Sequence, residues 1–164
     1  MGTQTEGFTE DTSVELFLQR ARRANVEFNA TPEDFPAILR ICHLVDGMPL
    51  ALELAAARSR LLKPAAMLEK LKNKLDVLTS GARDIPRRQQ TIRGTIDWSY
   101  DLLSEEEKHI LRMASVFIGG WTLEALEAVT EAGNTFELLE QLVNKSLVTT
   151  EERESQMRYF MLET

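Results

Sequence analysis

The chain has 164 residues, 43% hydrophobic and 27% charged, which suits a soluble globular protein of one domain or two small ones. No apolar run approaches the ~18 residues needed to span a bilayer, no signal-peptide pattern opens the chain, and the single Cys42 excludes an internal disulfide. The expected location is therefore the reducing cytoplasm, with no membrane partner. Net charge is −7 and unevenly spread: residues 1–80 carry 10 basic and 11 acidic side chains, residues 81–164 carry 9 and 15.

In chain order, residues 1–10 are small, polar and unpatterned, as a flexible lead-in would be. Helical spacing then sets in. Val14, Phe17, Leu18 and Ala21 form one apolar stripe, and Ile38, Ile41, Cys42 and Val45 a second. That second helix has two possible starts, at Thr31-Pro32 or with Asp34 as cap and Pro36 in the first turn. Gly47 suits the left-handed residue that closes it, and Pro49 suits the first turn of a third helix with Leu50, Leu54, Ala57 and Leu61 on one face. After Pro64, Leu68, Leu71, Leu75 and Leu78 mark a fourth. Residues 11–80 therefore read as a small four-helix bundle.

Residues 81–90, with Gly81, Pro86 and several charges, break the pattern and are the expected linker. Beyond it, Ile92, Ile96, Ser99 and Leu103 mark a helix. Ser104 with Glu107 three residues on is a capping box for the next, which is expected to stop at Gly119-Gly120. Thr122 and Thr135 are candidate caps for two more helices, ending near Gly133 and Lys145. Leu147–Thr150 and Arg158–Met161, flanking the polar loop Glu151–Gln156, read as a β-hairpin. The predicted fold is mainly α: a four-helix bundle followed by a winged-helix domain at 91–164, three helices plus a C-terminal hairpin.

Few residues carry reactive chemistry. No Gly-Lys-Ser/Thr exists to form a phosphate-binding P-loop, and Cys42, His43 and His109 lack metal-ligand spacing. Glu105, Glu106 and Glu107 belong to a first helical turn, where carboxylates complement the helix dipole. No catalytic residue, metal site or enzyme activity is predicted for the chain by itself. Arg83, Arg87, Arg88 and Arg93 form the only basic cluster, readable as a phosphate contact or as a solvated linker and helix start. In a helix-turn-helix the second helix reads the major groove. Here that helix offers Glu137 and Glu140 against Lys145, and the wing offers Glu151, Glu152 and Glu154 against Arg153. Such a surface repels phosphates, so DNA is not an expected partner of this winged helix.

Two segments resemble a known family. Asp46-Gly47-Met48-Pro49-Leu50-Ala51-Leu52 is similar to the G-L-P-L motif of the signal-transduction ATPases with numerous domains, which include the NB-ARC class. Thr95-Ile96-Asp97-Trp98-Ser99-Tyr100-Asp101-Leu102-Leu103 resembles the S-Y-D-x-L segment that opens their winged helix, and Ser115-Val116-Phe117 agrees in position. The closest flavour is the bacterial LuxR- and SARP-type transcription regulators, and the resemblance runs from about residue 9 to the end. It implies a nucleotide switch in which this piece pivots about residues 80–90 and closes over a separate P-loop domain that binds ATP or ADP with magnesium. Its implied partners are that domain and flanking sensor or output domains, with no cofactor held by this piece alone. By position, Gly47, Met48, Pro49 and Leu50 would pack on the adenine; the same residues also suffice as a plain helix corner. The family's M-H-D switch falls on Met161, Leu162 and Glu163, where leucine replaces the phosphate-contacting histidine and cannot donate a hydrogen bond. Two other readings stay open: a stand-alone winged-helix DNA-binding regulator, and a helical protein-interaction module.

Overall fold

A computed structural model describes residues 4–79 and 86–162. The order is α1 (Gln4–Ala24), α2 (Phe35–Leu44), α3 (Pro49–Ala56), a 3-10 turn (Ala57–Arg60), α4 (Pro64–Thr79), α5 (Arg87–Asp101), α6 (Glu105–Ala114), α7 (Leu123–Thr130), α8 (Thr135–Asn144), β1 (Val148–Arg153) and β2 (Gln156–Met161). The protein is thus mainly helical with a short terminal hairpin, and it divides into two compact units, 1–101 and 102–164.

In the first unit, α1 packs on α2, α3 and the 3-10 turn, α4 packs on α2 and α5, and α5 packs on α3. Phe17, Ile38, Ile41, Leu52, Leu54, Met67 and Leu71 are fully buried at its centre. Helix α3 buries Ala51, Leu52, Leu54, Ala55 and Ala56. It is apolar nearly all round because it is enclosed nearly all round. The expected stripe on that helix is corrected accordingly: Leu50 is half-buried and Leu61 is 64% exposed.

Several boundaries differ from those expected. The polar opening residues from Gln4 onward continue α1 instead of forming a lead-in. Of the expected 81–90 linker, residues 81–85 lie outside the described residues, and residues from Arg87 on already belong to α5. Because α5 packs on α3 and α4, it joins the bundle, and the second unit opens after Asp101 instead of at 91. Its buried face is Thr91, Gly94, Thr95, Trp98 and Ser99, while Ile92 and Ile96 are only half-buried. The buried hydroxyls of Thr91 and Thr95 donate to the carbonyls four residues back, Arg87 O and Thr91 O, which is how a helix takes a polar side chain inside.

The second unit holds α6, α7, α8 and the hairpin. Ser104 caps α6 as predicted: its Oγ accepts from Glu107 N–H at 3.2 Å, and Glu107 Oε2 accepts from Ser104 N–H at 2.8 Å. Helix α6 stops at Ala114, one turn short of the expected glycine stop. Thr122 caps α7 through Ala125 N–H. Helix α7 closes at Glu131 in the left-handed region, earlier than Gly133. Asn134, not Thr135, is the N-cap residue of α8. The buried Thr135 hydroxyl instead donates to Ala132 O at 2.8 Å and shares a hydrogen bond with Thr130 Oγ1, pinning the turn between the two helices. The hairpin is antiparallel, with Val148 opposite Met161 and Arg153 opposite Gln156. Its strands are longer than expected, because only Glu154 and Ser155, both with positive φ, form the turn. Trp121 adds a third rung through two 2.9 Å backbone bonds to Tyr159. Three helices, a single-residue strand contact and a hairpin make this unit winged-helix-like.

Candidate functional site

Each unit carries one region that the sequence singles out. In the first it is the corner between α2 and α3. Asp46 and Gly47 both take left-handed backbone, at φ 52° and 62°, and Gly47 N–H donates to Cys42 O at 2.9 Å, which closes α2. A Cβ on Gly47 would lie 2.9 Å from Ser13 Oγ, so the missing side chain also lets α1 approach. Pro49 opens α3, where its absent N–H costs nothing.

The four residues proposed for adenine contact do not share one environment. Met48 is 3% exposed and belongs to the core, Pro49 is exposed, and Gly47 and Leu50 are half-buried. Only Pro49 and Leu50 offer apolar surface that a flat base could cover. Of the basic cluster, Arg87 reaches this corner, with Nε 3.9 Å from Asp46 Oδ2. Arg88 and Arg93 are exposed on α5, and Arg83 lies outside the described residues. At that distance and exposure the Arg87–Asp46 pair contributes little to stability.

Beneath the corner, Cys42 is buried, and that burial raises its thiol to about 11. It stays protonated and inert at neutral pH. Among the described residues no group of three His, Cys, Asp or Glu could hold a metal ion. No described helix is long and apolar enough to cross a membrane.

In the second unit the region is α7, the turn 131–134 and α8, the arrangement of a helix-turn-helix. Leu138, Leu139 and Leu142 bury one face of α8, leaving Phe136, Glu137, Glu140, Gln141 and Asn144 exposed. The unit carries 12 acidic and 5 basic residues, so the whole −7 of the chain resides in it, and the first unit is neutral. Four of its five cations have identified partners within the unit. Lys145, the one cation expected on the reading helix, pairs with Glu107, which is 2% exposed. Lys108 pairs with Glu105 at 2.8 Å, and Arg153 with Glu151 at 2.8 Å. Arg158 donates to the carbonyls of Gly119 and Gly120. The hydrogen bond from Lys108 holds the Glu105 carboxyl below its usual range, with smaller help from the charges of Lys108 and Arg112.

At the end of β2, Met161 and Leu162 are half-buried, and Glu163 lies outside the described residues. Phe160 packs its ring under Gly120, where a Cβ would sit 2.6 Å away, and Arg153 stands 5.1 Å over the same ring. Sequence reading missed two members of this surface. The Glu107–Lys145 pair joins residues 38 apart, and no local pattern announces it. Phe136 lies off the Leu138, Leu139, Leu142 stripe, the one available sign that it faces outward.

No family model matches the chain. It is similar to longer mycobacterial proteins. One from Mycobacterium bovis and one from Mycobacterium tuberculosis H37Rv, both provisionally named HTH-type transcriptional regulators, are 40% identical over 159 residues, 94% of this chain. An uncharacterised protein of Mycobacterium tuberculosis H37Rv is 34% identical over 156 residues, 92% of this chain. The chain spans 18% of the length of the first two and 40% of the third.

Proposed function

We propose that this chain is a regulatory segment of a transcription regulator, and that its winged-helix unit works through protein contact. The regulator reading rests on the similarity to HTH-type regulators along 94% of the chain. The protein-contact reading rests on one observation: the unit that would read DNA holds the entire −7, and four of its five cations are paired with its own carboxylates and carbonyls. Binding duplex DNA requires cations that displace counterions from phosphates, and this unit sets 5 basic residues against 12 acidic ones.

Fluorescence anisotropy with a labelled random duplex in low salt tests this directly. The expected result is no binding at protein concentrations up to about 10 μM, where an ordinary non-specific DNA binder already associates. Binding that fades steeply with added salt would instead establish a second reading, direct DNA recognition by α7 and α8. That alternative is favoured by the relatives' name and by the helix-turn-helix geometry.

A finer proposal keeps the nucleotide switch implied by the resemblance. Pro49 and Leu50 would contribute apolar cover for a base in a longer protein, whose phosphate loop holds the charged end. No Gly-Lys-Ser/Thr stands in the sequence to form that loop, and Leu162 cannot donate to a phosphate. Titration calorimetry with ADP should therefore register no micromolar binding by this chain. Tight binding would show that the piece suffices without a separate phosphate site.

A further inference from the structure

We propose that the exposed face of α8 is a docking surface for a basic, amphipathic segment of a partner protein, with Phe136 as its apolar anchor. The proposal rests on the reading of the winged-helix unit as a protein-contact module. Phe136 is 51% exposed on a helix whose three leucines are buried. Along the helix it neighbours Glu140 four residues on, while Glu137 neighbours Glu140 and Gln141. Neither Glu137 nor Glu140 has an ion pair or side-chain hydrogen bond among the described residues. Two like charges three residues apart repel one another, a cost that the helix bears alone until a cation arrives.

Charge complementarity fixes the class of occupant. Four of the unit's five cations pair away from Glu137 and Glu140, and its net charge is −7. A segment carrying lysine or arginine on both sides of one apolar residue would cover the Phe136 ring and neutralise Glu137 and Glu140 together. An acidic or uncharged segment gains only the apolar part. Gln141 and Asn144, exposed further along the same helix, add neutral donors and acceptors at the rim.

The test uses the full chain and a fluorescein-labelled amphipathic peptide of alternating lysine and leucine blocks, with a glutamate–leucine peptide as its counterpart. The expected result is binding of the basic peptide only, weakened about tenfold by Glu137→Gln with Glu140→Gln. Phe136→Ala should weaken it about fivefold. Glu124→Gln with Glu127→Gln removes the same charge from the exposed face of α7 and should change affinity less than about twofold. Circular dichroism checks that each variant keeps its helix content. Equal weakening by the α7 pair would overturn the surface, because bulk charge alone would then explain binding; so would failure of the basic peptide to bind. Duplex DNA bound in place of the peptide, and lost in Phe136→Ala, would overturn both this surface and the protein-contact reading.

Discussion

Gly47 satisfies two demands that no other residue meets together: a left-handed backbone at φ 62°, and room for Ser13 Oγ at the position of a would-be Cβ. Gly47→Ala is expected to cost about 1–2 kcal/mol from the backbone alone, and more if α1 must shift. Urea unfolding followed by circular dichroism measures it, and a neutral result would mean that α1 is not held against the corner. Cys42 supplies a pH dependence whose sign follows from burial. An unfolded thiol ionises near 9, the folded one only at about 11, so the unfolded chain releases its proton first. Stability should be unaffected below about pH 8 and fall as pH rises from 9 towards 11. Cys42→Ser, which does not ionise there, should remove that slope. Iodoacetamide at pH 8 should label the wild-type thiol only on unfolding.

Helix α5 shows how far local pattern carries and where it stops. Its existence was legible from its spacing, but its allegiance was not. The residues that face inward are threonines, a serine, a glycine and one tryptophan; of the expected stripe Ser99 and Leu103 are buried, while Ile92 and Ile96 sit half-buried at the edge of that face. One tie on the helix is a long-range contact: Arg58, fully buried in the 3-10 turn, donates from Nη2 to Ser99 O at 2.6 Å. A residue 41 positions away leaves no periodic trace. Arg58→Lys keeps the charge but cannot reproduce the planar donor fork, and it should destabilise the first unit by about 2 kcal/mol. The capping box of α6 and the Thr122 cap of α7 were readable because both are complete within four residues. Asp34 illustrates the opposite case. It occupies the N-cap position of α2, yet its carboxylate accepts from Thr31 N–H and Oγ1, because the preceding turn competes for it. The Gly-x-Pro corner was legible in full as a corner. That Met48 would face the core while Pro49 faces outward depends on which way α3 is turned against α1 and α5, which sequence spacing does not specify.

At the scale of the whole molecule, the 164 residues divide into a neutral helical unit and a unit carrying −7, so the two halves answer differently to ionic strength. Salt should leave the first unit nearly unchanged and relieve self-repulsion in the second. Glu107 lies at the centre of the second unit, capping α6 with one oxygen and pairing with Lys145 through the other. Glu107→Ala removes the reciprocal cap and strands the ammonium of a largely buried lysine, with an expected cost of about 3 kcal/mol. The aromatic residues let that loss be followed in each unit by its own signal. The chain has two tryptophans, and they fall one to a unit: Trp98, 4% exposed in α5, and Trp121, 2% exposed, stacked 6.1 Å from Phe117 and bridged to the wing. Each indole is thus a native optical probe of its own half. In a Trp98→Phe background the Glu107→Ala change should move the emission transition of Trp121 to lower denaturant. In a Trp121→Phe background, a Trp98 transition that stays where it was means the units unfold independently, and one that moves in step means they unfold together. The chain carries its own two-channel reporter, able to record which half a ligand, a salt or a substitution has touched.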